Sequence, residues 1–132
     1  MSARRDTAPT AAVFVASIPC EDFLPCDFQM LERIIAQNAP VIKKAFGIDT
    51  PTVLLKEGRL WFPWFPLRGI PGETVLYTDF ACRLCHMAQW WYIPPGARYV
   101  RTGKLGMHHF LMDLGFYGWG QRKGRKLLLR NF

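Results

Sequence analysis

The chain has 132 residues, half of them apolar, and a formal charge of +7. That length and composition suit one folded domain that buries its own core, and they exclude a disordered chain. No run nears the roughly 18 consecutive apolar residues that crossing a bilayer requires, so a membrane partner is not expected.

The charge is unevenly placed. Residues 1–82 carry eight Lys/Arg against nine Asp/Glu, whereas residues 83–132 carry nine against Asp113 alone. A balance of −1 in one part and +8 in the other points to a basic face aimed at an anionic partner.

Elements follow in chain order. Residues 1–10 contain Arg4 and Arg5 before a short apolar patch that is too brief for a signal h-region, and they read as a flexible tail. Without an export signal, the expected location is the cytoplasm, where cysteines stay reduced. The domain then spans 11–132. "AAVFVASIP" (11–19) reads as a strand. "CDFQMLERIIAQNAPVIKKAFG" places Phe28, Leu31, Ile34 and Ile35 at helical steps. Asp27 is the expected N-cap, Pro40 is expected to end or kink the helix near Asn38 with a second short helical piece running to Gly47, and Gly47 suits a left-handed C-cap.

"TVLLKEGRLWFPWF" reads as a hairpin turning at Glu57-Gly58. Strict alternation sets Leu60, Phe62 and Trp64 on one face and Trp61, Pro63 and Phe65 on the other. Pro63 cannot donate to a ladder, which predicts an edge or bulged strand. After the loop "PLRGIPGE" comes a helix containing "DFACRLCHMAQWW", ended by "IPPGA". "ARYVRT" reads as a short strand. "KLGMHHFLMDLGFYG" is an amphipathic helix that buries Met107, Phe110, Leu111 and Leu114, with Gly115 as C-cap and Phe116 folding back. "GQRKGRKLLLRNF" reads as a closing basic helix. The fold class is α+β: a small antiparallel or mixed sheet packed against three to four helices.

The string Cys82-Arg83-Leu84-Cys85-His86 has the spelling of a c-type haem attachment site and half that of a zinc site. At about 100° per residue, Cys85 falls at the margin of an apolar arc formed by Phe80, Ala81, Leu84, Met87, Ala88 and Trp91. Cys82 lies on the polar side with His86, Trp90 and Gln89. A redox pair belongs at a helix N-terminus, where the dipole lowers the first thiol's pKa, and this pair does not. Cys20 and Cys26 supply a second pair, at a spacing unusual for zinc. Cys85 therefore reads as a core residue and Cys82 as a surface thiol; no metal or cofactor is expected. His108 and His109 point about 100° apart and cannot share one ion; His109 can pair with Asp113 four residues on.

No phosphate loop, dinucleotide turn, nucleophile elbow or metalloprotease helix is present. A cysteine- or zinc-dependent enzyme therefore ranks third among the readings. The first is phosphate binding. Arg122, Lys126 and Arg130 form an i, i+4, i+8 stripe with Lys123 and Arg125 beside it, while Leu127 and Leu128 face away. Arg98, Arg101 and Lys104 extend the patch if the preceding segment lies near. Such a face suits a DNA or RNA backbone, through counterion release. Second comes an inhibitor or adaptor that presents this face to an acidic surface of a host defence protein. Trp90, Trp91, Tyr92, Tyr117 and Trp119 are able to stack on unpaired bases, but sealing a small core is the favoured role.

The run Phe110-Leu111-Met112-Asp113-Leu114-Gly115-Phe116-Tyr117-Gly118, followed by Arg125-Lys126-Leu127-Leu128, resembles a C-terminal signature of small uncharacterised "virulence-related" proteins of bacterial mobile elements. Their pattern is Phe-Leu-x-x-Leu-Gly-Phe-x-Gly, then Arg-Lys-x-Leu-Leu; here the joining "WGQRKG" departs from their usual linker. The resemblance implies a phage or mobile-element setting and offers no catalytic residue to transfer.

Overall fold

The computed structural model describes residues 12–94 and 99–132. The tail expected over 1–10 and the candidate Arg98 lie outside the described residues. In chain order the elements are β1 (Val13–Pro19), α1 (Pro25–Phe46), β2 (Leu54–Lys56), β3 (Arg59–Pro66), α2 (Glu73–Trp90), α3 (Gly103–Leu114), a 3₁₀ turn (Trp119–Gln121) and α4 (Arg122–Leu128). This is the expected α+β arrangement. The strands form one antiparallel sheet in the order β1-β3-β2, with helices packed against it and against each other. No helix among the described residues is long and apolar enough to cross a membrane.

α1 buries Met30, Leu31, Ile34, Ile35, Val41, Ile42 and Ala45, the face its spacing dictates. Two local expectations fail here. Leu24 is the N-cap and Pro25 takes N1, a position where its missing N–H costs nothing. Asp27 sits at N3 instead and accepts the Leu24 N–H at 2.8 Å, so it reaches back to the cap without being the cap. Pro40 does not end the helix, which continues for another turn and a half to Phe46. The proline is exposed, while Val41 and Ile42 beyond it are fully buried; that burial outweighs the loss of one backbone bond. Gly47 caps the helix at φ 66°, as its position predicts.

The hairpin turns at Glu57 and Gly58, both at positive φ, the pattern of a two-residue type I′ turn. β3 is the central strand, so Pro63 does not lie at an edge. The bulge expected with it is present: Phe14 pairs with Phe65 and Ala16 with Phe62, so β3 carries one extra residue over Pro63–Trp64. β2 pairs with β3 no further than Trp61, and no ladder there needs an N–H from Pro63. The extra residue also shifts the alternation. Leu60, Phe62 and Phe65 oppose Ile18, Ala16 and Phe14 and so share one face, with Phe65 moved from the side simple alternation assigns it.

Phe65 stacks on Tyr77 of α2 at 4.8 Å and meets Phe46 of α1 edge-on at the same separation. Phe80 joins Phe46, Phe65, Phe110 and Phe116, and is fully buried. Sheet, α1, α2, α3 and the C-terminal segment thus meet around one phenyl ring. The segment Tyr99–Thr102 is not a strand. Its Arg101 N–H donates to the Gln37 carbonyl of α1 at 2.9 Å, so it is docked on a helix.

Glu73, the first residue of α2, is 5% exposed. Its carboxylate accepts N–H bonds from Arg68 and Ile70, each at 2.7 Å, and so closes the loop after β3. Burial pushes its carboxyl pKa up, but the N–H groups of Ile70, Arg68 and Gly69 and the Arg68 charge outweigh this and hold it below the ordinary glutamate value. A carboxylate with a depressed folded pKa stabilises the fold above the unfolded-state value, near 4.3, and the contribution fades as pH falls through the folded value. Glu73→Gln is expected to cost about 1–3 kcal/mol at neutral pH, the worth of hydrogen bonds to a buried charge. In urea unfolding, wild type should lose more stability than the variant between pH 6 and pH 3.

Candidate functional site

The C-terminal segment is held by three clasps. Gly115 caps α3 at φ 97°, and the Phe116 N–H returns to the Leu111 carbonyl at 2.9 Å. Phe116 is fully buried, nearly parallel to Phe80, with the Arg83 guanidinium 4.5 Å from its ring centroid. Arg83 is itself fixed by Asp79 (3.0 Å) and the Leu114 carbonyl (3.3 Å). The backbone angle demands glycine at 115, and a Cβ there would come within 2.6 Å of Arg83 Nη1 and push the guanidinium aside.

The second clasp is Arg125, whose Nη1 donates to the carbonyls of Phe116 (3.1 Å) and Gly118 (2.8 Å). The third lies at the chain's end. Leu128 is buried, and Asn131 Nδ2 donates to the Lys44 and Ala45 carbonyls at the end of α1. Arg68 Nη1 donates to Asn131 Oδ1 at 3.4 Å, and the Lys44 ammonium stands 5.6 Å over the Phe132 ring. Tyr77 senses the same cluster. Burial and then Glu73 push its phenol pKa up, while Arg68 and Arg130 pull it down.

The eight predicted binding residues divide accordingly. Arg122, Lys123, Lys126 and Arg130 are exposed. α4 ends at Leu128, so Arg130 follows in the closing turn and the helical stripe is shorter than expected. Arg125 is committed to the two carbonyls. Arg101 pairs with Asp113 and lies over the Phe110 ring, which makes it a packing residue. That pairing also replaces the expected one between His109 and Asp113. Lys104 is exposed but sits in the first turn of α3, about 15 Å along the helix from the C-terminal loop, and does not join the α4 group. The structure supplies Lys44 and Arg68 in its place. Both come from the charge-balanced part of the sequence, and only the fold brings them to α4.

The aromatic residues overturn the core-sealing expectation. Trp119 is 85% exposed, Trp90 75%, Tyr92 73%, Tyr117 67% and Trp91 44%. The core is filled by phenylalanines and Trp64, which leaves these five rings on the surface. They form two groups. Trp90, Trp91 and Tyr92 lie at the end of α2, where, among the described residues, Arg33 is occupied by the Ile93 carbonyl, Arg83 by Asp79 and Arg101 by Asp113. Tyr117 and Trp119 adjoin α4, with the Arg122 guanidinium 5.5 Å from a Trp119 ring centroid.

Compared with protein-family models, curated proteins and solved structures, the chain matches none.

The cysteines divide as their helical positions predict, with Cys85 buried and Cys82 exposed. All four are free thiols. Burial, then Cys82 and Cys20, push the Cys85 pKa up to about 12; burial, then Glu21 and Asp22, raise that of Cys20 against the pull of Arg59. Neither buried thiol supplies a thiolate at neutral pH. Cys82 lies deep within α2, far from the N-terminal amides that activate redox cysteines. Among the described residues, no three His, Cys, Asp or Glu side chains gather where they would hold one metal ion.

Arg125 and Lys126 are adjacent cations with different duties. Arg125→Ala removes both carbonyl grips and is expected to lower stability by about 1–3 kcal/mol. Lys126→Ala, at an exposed position, should stay within about 0.5 kcal/mol of wild type. Urea denaturation followed by circular dichroism separates the two; equal effects would contradict this division.

Proposed function

We propose that the protein is a non-enzymatic binder of nucleic acid, engaging the phosphate backbone through its C-terminal face with little sequence preference. One observation carries this reading: Arg122, Lys123, Lys126 and Arg130 are exposed together on a stretch, residues 114–132, that contains no acidic residue. Lys44 and Arg68 stand at the edge of that stretch and add to its potential. Lysine and arginine on a fixed ridge displace condensed counterions from phosphates, which yields affinity without base reading. The C-terminal signature extends the proposal to a phage or mobile-element protein working in the cytoplasm.

A second reading rests on the other aromatic group. Trp90, Trp91 and Tyr92 are exposed where the nearby arginines among the described residues are already engaged, a surface better suited to a protein than to phosphates. That surface would serve an inhibitor or adaptor acting on a host defence protein.

Fluorescence anisotropy with labelled DNA and RNA across a salt series tests the first reading. Four exposed cations predict a slope of log K against log[salt] of about −3 on a single strand, since each contact contributes about 0.7. The variant Arg122→Ala/Lys126→Ala/Arg130→Ala should bind more weakly, with a slope flatter by about 2. A salt-independent affinity contradicts phosphate binding, and no binding at low salt shifts the function to the second surface.

A further inference from the structure

Trp119 has no packing role that accounts for it. At 85% exposure it is the most exposed large apolar side chain among the described residues, in a chain that buries Trp64 to 1%. An indole left in water gains greatly from being covered, and a flat partner covers it most completely. Its surroundings are open: a Cβ built on Gly118 or on Gly120 would meet nothing within 4 Å. Beside the ring lies a recess of about 340 Å³, lined by Gly118, Trp119, Arg122 and Arg125.

The position is nevertheless fixed. Arg125 holds the carbonyls on either side of Tyr117, and Phe116 is locked under Arg83. The loop that presents Tyr117 and Trp119 is thus anchored at its start and across its middle. Arg122 stands beside the indole with its charge free, and the other exposed cations of α4 and its closing turn follow directly in the chain. An aromatic platform next to a row of cations suits a chain of flat rings joined by phosphates. Among the described residues the Trp90 group lacks that second component, because Arg33, Arg83 and Arg101 are tied to Ile93, Asp79 and Asp113.

We infer that Trp119, with Arg122 beside it, is a stacking platform for an unpaired nucleobase, so that the C-terminal face selects single-stranded over double-stranded nucleic acid. The inference rests on the phosphate-binding reading above and narrows its substrate. Bases in a duplex are already stacked and offer Trp119 only their edges and backbone, whereas unpaired bases present a π-face of any sequence. Tyr117, two residues away and also exposed, is the adjacent position for a second base.

The test compares Trp119→Ala, Trp119→Phe and Trp90→Ala with wild type, using labelled oligothymidine and a labelled DNA duplex in anisotropy titrations. Trp119→Ala should weaken oligothymidine binding roughly 5- to 150-fold while leaving duplex binding within about twofold. Trp119→Phe should recover much of the loss, and Trp90→Ala should match wild type. Oligothymidine should also quench less indole fluorescence in Trp119→Phe than in wild type. Because Trp119 is exposed, its variants should keep the wild-type far-ultraviolet dichroism and melting temperature, so folding does not confuse the result.

If Trp119→Ala binds oligothymidine like wild type while the Arg122/Lys126/Arg130 variant does not, stacking is overturned and phosphate binding stands. If Trp119→Ala weakens strand and duplex equally, the single-strand preference is overturned. If wild type binds neither nucleic acid at low salt, both readings fall together.

Discussion

The packing of Phe116 against Phe80 and Arg83 ties the basic end of the chain to the domain. Residues 117–132 are short and highly charged, and a seven-residue helix such as α4 does not persist alone in water, so its order comes from such contacts with the domain. The lock works because three requirements coincide. Gly115 adopts the left-handed angle that turns the chain back, Phe116 buries a whole ring, and Arg83 closes over it while holding the Leu114 carbonyl. Phe80, which packs against Phe116, is the ring where helices and sheet converge, so the stability of the core is passed directly to the C-terminal face.

That face acquires its character from how the arginines are divided. Arg83, Arg101 and Arg125 spend their hydrogen bonds on carboxylates and carbonyls inside the fold, where a planar guanidinium serves better than an ammonium. Arg122 and Arg130, with Lys123 and Lys126, face solvent. The +8 of residues 83–132 therefore overstates the charge available to a partner, and the fold corrects the deficit by bringing Lys44 and Arg68 to the same end. The proposed nucleic-acid surface is smaller than the charge pattern suggests.

Local chemistry was legible in the sequence wherever a single residue decides the backbone. Gly47, the Glu57-Gly58 turn and Gly115 with Phe116 all follow from which residues tolerate positive φ. The α+β class and the burial of Cys85 follow from periodicity. Failures came where tertiary packing overrides a local rule. Pro40 reads as a stop or a kink before a second helical piece, yet Val41 and Ile42 are needed in the core and one helix runs through it to Phe46. Pro63 reads as the mark of an edge or a bulge, and the bulge is there, but strict alternation misses that its extra residue carries Phe65 to the other face. Asp113 reads as a partner for His109, but Arg101 arrives from a segment that docks on α1. The site itself was half legible. Four of its cations are adjacent in sequence, whereas Lys44 and Arg68 join only through the contacts of Asn131 and Phe132. The exposure of Trp119 left no sequence signal, because nothing in a local pattern says that phenylalanines have already filled the core.

The central claim is that residues 117–130 form the nucleic-acid surface. Two-dimensional ¹H–¹⁵N NMR of the labelled protein, titrated with a short single-stranded oligonucleotide, tests it most directly. The five tryptophan indole signals report from different places: Trp64 from the core, where it donates to Thr52, Trp61 from the sheet, Trp90 and Trp91 from the end of α2, and Trp119 from beside α4. The account predicts that the Trp119 indole and the backbone amides of 117–130 shift together, while the Trp64 and Trp90 indoles stay in place. Shifts confined to Trp90 and Trp91, or no shift at an oligonucleotide concentration well above that of the protein, would contradict it.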